Sequence, residues 1–217
     1  MKNKLQIPVR RIESLVRCTC TPGAGFLRML AALALLVSLS RGQAQTWTGS
    51  TSGDWSVTTN WSSAPGYNGT TDLIYSSTST NSTANASNSF LGSNLTIRSL
   101  AYDADADTDL RTRFASTKSG NTARHLTFSA DSGSSSISIA SGAAGNIEFT
   151  VGTNLGSLSA GSDLLVDHNG SGLFSIAPQI TGPGNLTFSG SGNTAVSGVI
   201  AIGTANLSKS GTGNLTL

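Results

Sequence analysis

Few residues in this chain could do chemistry. His125 and His168 are its only histidines, and His168 closely follows Asp163 and Asp167 beside the turn-forming pair Asn169-Gly170. Serine, histidine and aspartate together make an acyl-transfer centre only where the serine meets the base beside an oxyanion donor. With 32 serines from residue 46 onward, a serine near a histidine carries little information, and no Gly-x-Ser-x-Gly elbow occurs. His125 stands before Leu126-Thr127-Phe128 in a slot that Asn takes before similar triplets, so it is expected to flank a strand. Glu148, Asp163 and Asp167 form a second set. Carboxylates aligned on adjacent coils could cleave a polysaccharide by general acid and base catalysis. The run Asp103-Ala104-Asp105-Ala106-Asp107-Thr108-Asp109 could gather calcium, which needs several oxygens. The EF-hand pattern fails, because Thr108 stands where the loop glycine belongs and Phe114 where the final glutamate belongs. A water-facing acidic segment, offset by Arg111 and Arg113, is expected, with no metal and no cofactor. Trp47, Trp55 and Trp61, with Tyr67 and Tyr75 nearby, could stack on sugar rings or plug the end of an apolar core. The plug is the favoured expectation.

Composition narrows the field. Only 11% of the 217 residues are charged, against about 25% in an ordinary soluble domain. The formal charge is +2, yet residues 46–217 hold six bases and ten acids, a net of −4. That balance argues against nucleic acid as a partner. Both cysteines, Cys18 and Cys20, precede residue 46. A disulfide scaffold, a thiolate metal site and a cysteine nucleophile are therefore excluded from the rest.

Residues 1–44 have the layout of an export signal. Basic residues up to Arg28 precede the apolar run Leu30–Val37, and Gly42-Gln43-Ala44 supplies small residues for cleavage after Ala44. The run is shorter than the roughly 20 apolar residues that a spanning helix needs.

Beyond the leader, Ser, Thr, Gly and Asn make up 92 of 172 residues. Apolar residues recur within this polar background at period two. Leu126 with Phe128, Ile137 with Ile139, Leu164 with Val166, and Leu186 with Phe188 are examples, and Ile147, Phe149 and Val151 form a triplet. Period two places each set on one face of a strand, and Gly, Asn, Ser and Pro between sets favour turns. Such short strands bury too little alone to offset about 1–2 kcal/mol of backbone entropy per residue. Stacked coils sharing one apolar column would suffice. An antiparallel sandwich would show the same alternation. Repetition favours the coil: Gly182-Pro183-Gly184-Asn185-Leu186-Thr187-Phe188 recurs as Gly211-Thr212-Gly213-Asn214-Leu215-Thr216-Leu217, at an offset of 29.

The stretch from Leu207 to Leu217 resembles the autotransporter-associated β-strand repeat, or passenger-associated transport repeat, whose pattern is roughly L-x-K-x-G-x-G-x-L-x-L. Leu207, Lys209, Gly211, Gly213, Leu215 and Leu217 occupy its defined positions. The block with Trp47, Asp54-Trp55, Asn60-Trp61 and Pro65 is similar to the start of exported proteins bearing such repeats. The resemblance implies a right-handed parallel β-helix, exported across the inner membrane of a double-membrane bacterium and displayed or released. The match covers about two units, and the second stops mid-unit.

The expected organisation is a signal peptide over 1–44, a tryptophan-containing cap region over 45–92, and β-solenoid repeats over 93–217. The expected role is structural or adhesive and non-catalytic, secreted or at the cell surface, with surface glycans or neighbouring passenger segments as partners and contact with membrane only during export. A carbohydrate-binding module on Trp47, Trp55 and Trp61 is the alternative, with a polysaccharide-degrading β-helix behind it. Nine Asn-x-Ser/Thr sequons, including Asn60, follow from composition and read as turn and ladder residues.

Overall fold

Short parallel strands cannot be joined by tight hairpins, so each must be followed by a long return. Here the return is the rest of a coil. The computed structural model describes residues 44–75, 89–103, 109–117, 119–120, 122–152, 154 and 156–217. Strand β1 (Gln45–Thr46) opens the stack. The first full rung carries β2 (Asp72–Tyr75), β3 (Ser89–Phe90) and β4 (Leu95–Ile97). The second carries β5 (Ser99–Tyr102), β6 (Leu110–Arg113) and β7 (His125–Phe128). The third carries β8 (Ser135–Ile139), β9 (Ile147–Thr150) and β10 (Ser157–Ala160). The fourth carries β11 (Leu164–His168), β12 (Leu173–Ile176) and β13 (Gln179–Thr181). The fifth carries β14 (Leu186–Ser189), β15 (Asn193–Val196) and β16 (Ile200–Ala201). Strands β17 (Leu207–Lys209) and β18 (Leu215–Thr216) begin a sixth.

β1 pairs with β2, and from β2 onward every third strand pairs, giving three parallel sheets. The first runs β1-β2-β5-β8-β11-β14-β17, the second β3-β6-β9-β12-β15-β18, and the third β4-β7-β10-β13-β16. The molecule is a parallel β-helix. Stacking begins before residue 93, since β1, β2 and β3 already belong to the sheets.

Alternation supplies the core. In the first sheet Leu73, Leu100, Ile137, Val166 and Phe188 pair in register and are all buried. Leu110, Ile147 and Phe174 do the same in the second sheet, and Leu95, Leu126, Leu158 and Ile180 in the third. Each such side chain contributes about 1.5–3 kcal/mol once buried. It is buried only because a neighbour lies above and below.

Rung length follows strand pairing rather than sequence likeness. Ser99 pairs with Ser136, a rung of 37 residues, whereas Leu186 pairs with Leu207, a rung of 21. The two copies at a 29-residue offset do not stack on each other, since Gly184 lies over Ser162 and Gly213 over Gly192. Gly182-Pro183-Gly184 turns from the third sheet into β14, and Gly211-Thr212-Gly213 turns from the first sheet into β18. The two copies are different corners of the coil. Their glycines share one cause. A Cβ on Gly213 would lie 2.0 Å from the carbonyl oxygen of Gly192, and one on Gly184 would lie 2.1 Å from that of Ser162. Corners stack backbone on backbone, and only glycine admits that approach.

Candidate functional site

Strand alternation breaks up the histidine–aspartate grouping. On β11, Leu164, Val166 and His168 point inward and are buried, while Asp167 lies on the outer face. His168 thus stands in the core, with Nδ1 3.3 Å from Thr194 Oγ1 and Phe174 edge-on at 6.2 Å. Burial pushes its imidazole below the ordinary value, against a backbone hydrogen bond at Asn193 and the charge of Asp167. The parity of Leu164, Val166 and His168 was a readable signal of this placement.

The carboxylates do not converge either. Glu148 lies on the second sheet and accepts a hydrogen bond from Arg111 Nε at 2.7 Å. Asp163 precedes β11 and Asp167 stands on it, four residues apart, about 13 Å along a strand. Asp163 accepts from the Asn185 backbone N–H and side-chain Nδ2, and Asp167 accepts from Ser189 Oγ at 2.6 Å. Each acid is held separately on the outer surface. Among the described residues no three His, Cys, Asp or Glu side chains cluster to hold a metal. The centre of the acidic run, 104–108, lies outside the described residues. Its last member, Asp109, accepts a hydrogen bond from the Asn146 backbone N–H.

His125 does meet a serine: its Nδ1 is 2.7 Å from Ser157 Oγ. The contact belongs to a ladder rather than a catalytic pair. The His125 backbone N–H donates to Asn94 Oδ1, so Asn94, His125 and Ser157 occupy one slot on three successive rungs. Asn206 donates through backbone N–H and Nδ2 to Asn185 Oδ1, continuing the Asp163–Asn185 ladder. Another column runs Asp109, Asn146, Leu173, Asn193 and Asn214, and Leu173 breaks it.

The three tryptophans form the N-terminal plug. Trp47, Trp55 and Trp61 are all buried, so none offers a face to a sugar ring. The stacking alternative fails for this physical reason. Trp61 packs edge-on to Trp47 and Trp55 at 4.9 and 5.8 Å, and Tyr75 stacks between Trp47 and Tyr102 at 5.3 and 5.4 Å. Trp61 Nε1 and the Tyr67 hydroxyl both donate to the Trp55 carbonyl. Tyr67 is half-buried, and burial raises its hydroxyl pKa well beyond the ordinary tyrosine range. Sequence reasoning missed the keystone, Asn60. It is buried, its Oδ1 accepts the N–H groups of Thr51 and Ser52, and its Nδ2 donates to Asp54 O and Ser52 Oγ. Its sequon is structural. The sequons at Asn81 and Asn85 lie outside the described residues.

The repeat-motif residues divide between two sheets. Leu207 and Lys209 stand on β17, Gly211 and Gly213 at the corner, and Leu215 on β18. Lys209 pairs with the buried Phe188, yet its Nζ turns back to donate to the carbonyls of Ser210 and Gly211. Val199, Leu207 and Leu217 are exposed around a groove of about 460 Å³ at this end. Ala44 is exposed, and the rest of the leader lies outside the described residues.

The outer faces are the remaining candidate. Thr96, Thr127, Ser159 and Thr181 align in register on the third sheet, one hydroxyl per rung at about 4.8 Å spacing. On the first sheet, Ser99, Ser136, Leu165, Thr187 and Ser208 form a second column. One ion pair borders that column, where Arg98 and Ser99 donate to Asp72. Among the described residues no helix is long and apolar enough to cross a membrane. No protein-family model, curated protein or solved structure matches the chain.

Proposed function

We propose that this chain is an exported, non-catalytic passenger segment with a structural or adhesive role at the cell surface or in the medium. The hydroxyl columns carry the reading: Thr96, Thr127, Ser159 and Thr181 present a regular, nearly uncharged face along the coil. Such a face suits surface glycans or a neighbouring passenger segment, because side-chain hydroxyls donate and accept and need no counter-ion. The acids support it negatively, since Glu148, Asp163 and Asp167 are each engaged by their own ladder partners.

The test expresses the full chain in a double-membrane bacterium. Fractionation, surface proteolysis and retention on polysaccharide-coated or passenger-coated beads are then measured. Export with retention is expected, as is loss of retention in Thr127→Lys and Thr181→Lys with unchanged far-UV circular dichroism. A cytoplasmic product, retention indifferent to both substitutions, or turnover of the polysaccharide would each refute the reading.

A further inference from the structure

We propose that His168 makes the spine acid-sensitive, so that protonating its ring releases β14–β18 before the capped rungs open. The inference does not depend on where the chain resides. His168 extends the inward column of Tyr75, Tyr102 and Ile139, whose members pair in register. It is 1% exposed. The following rung lies directly on it. A Cβ on Gly192 would sit 2.6 Å from both Cδ2 and Nε2 of the ring, and Gly192 N donates to the His168 carbonyl at 2.7 Å. Thr194 on β15 is the hydroxyl partner of the ring. The β11–β14 junction is therefore closed over an ionisable group.

No acid shares that junction with the ring: a backbone hydrogen bond at Asn193 and the charge of Asp167 on the outer face favour the imidazolium, but burial outweighs both. On the same strand the nearest acid, Asp167, lies on the outer face and accepts from Ser189 Oγ and Asn169 Nδ2. The packed strands β8, β12, β14 and β15 carry no ionisable side chain, nor do corners 140–146 and 190–192. An imidazolium here would be buried without a counter-ion, which proteins avoid by unfolding locally or by refusing the proton.

The direction follows from linkage. Burial lowers the imidazole pKa from 6.5 in the folded chain, so the unfolded chain binds the proton first. Stability is fully present above 6.5 and falls as the pH drops below it, until the folded pKa is reached. The paired carboxylate of Asp72 acts only in stronger acid. Burial opposes its ionisation, but hydrogen bonds from Arg98 and Ser99 hold it below 3.8. The first rungs are closed by the buried Trp47, Trp55 and Trp61.

The experiment is native-state hydrogen exchange on the full chain at pH 7 and pH 5.5, corrected for intrinsic rates. Opening of β14–β17 amides should rise up to about tenfold at the lower pH, with β5 and β8 unchanged. His168→Ile, which copies Ile139, and His168→Gln should both abolish the rise. His125→Gln should keep it. A rise that persists in His168→Gln, a uniform rise along the coil, or no rise at all would overturn the proposal, even if His168→Ile fails to fold.

Discussion

Gly190→Ala perturbs the stacked corners most directly. Gly190 has φ of +94°, and a Cβ there would lie 2.0 Å from the His168 carbonyl oxygen and 2.5 Å from its carbon. Carbon and oxygen without a bond between them need more than 3 Å, so the rung must retreat by about 1 Å from a spacing of about 4.8 Å. The hydrogen bond from Gly192 N to the same carbonyl, 2.7 Å long, cannot survive that shift. The left-handed backbone costs about 1–2 kcal/mol, and unsatisfied buried groups cost about 1–3 kcal/mol. A loss of about 2–5 kcal/mol is expected, a large share of the roughly 5–15 kcal/mol typical of a folded domain. Gly133→Ala is the matched comparison, because Gly133 also has positive φ, +76°, but a Cβ there meets nothing within 4 Å. Only the backbone part, about 1–2 kcal/mol, should be lost. Urea unfolding followed by far-UV circular dichroism measures both. Equal losses would refute the idea that rung-on-rung contact, rather than turn conformation, demands glycine at these corners.

Two further substitutions probe the cap and the ladders. Asn60→Ala removes four hydrogen bonds inside the tryptophan plug and should cost about 2–3 kcal/mol. Tryptophan emission should shift to the red at lower urea than far-UV signal is lost. Leu173→Asn replaces an exposed apolar residue that stands between Asn146 and Asn193 in register, completing the column. It should stabilise by about 0.5–1 kcal/mol, seen as a rise of a few degrees in thermal midpoint.

Much of the architecture was legible. The pairs Leu126/Phe128, Ile137/Ile139, Leu164/Val166 and Leu186/Phe188 are all inward and buried, as period two requires. His125 in an asparagine slot was readable from the neighbouring triplets. The likeness between residues 182–188 and 211–217 misled on one point. Corners of one coil resemble each other chemically, so the likeness marks corners without saying which ones stack. The grouping of His168 with its aspartates failed because nearness in sequence places strand neighbours on opposite faces.

Local chemistry alone determined that the chain makes short strands with small-residue corners, since alternation and turn preference act within a few residues. It also settled the absence of thiol chemistry after residue 46. Tertiary structure decided everything that depends on partners far along the chain. Pairing across 20 to 37 residues set which side chains form a column. It buried Trp47, Trp55, Trp61 and His168, turned Lys209 back onto its own corner, and made a sequon asparagine the centre of the plug. Burial is a property of the stack, because no single rung can exclude water from both its sides.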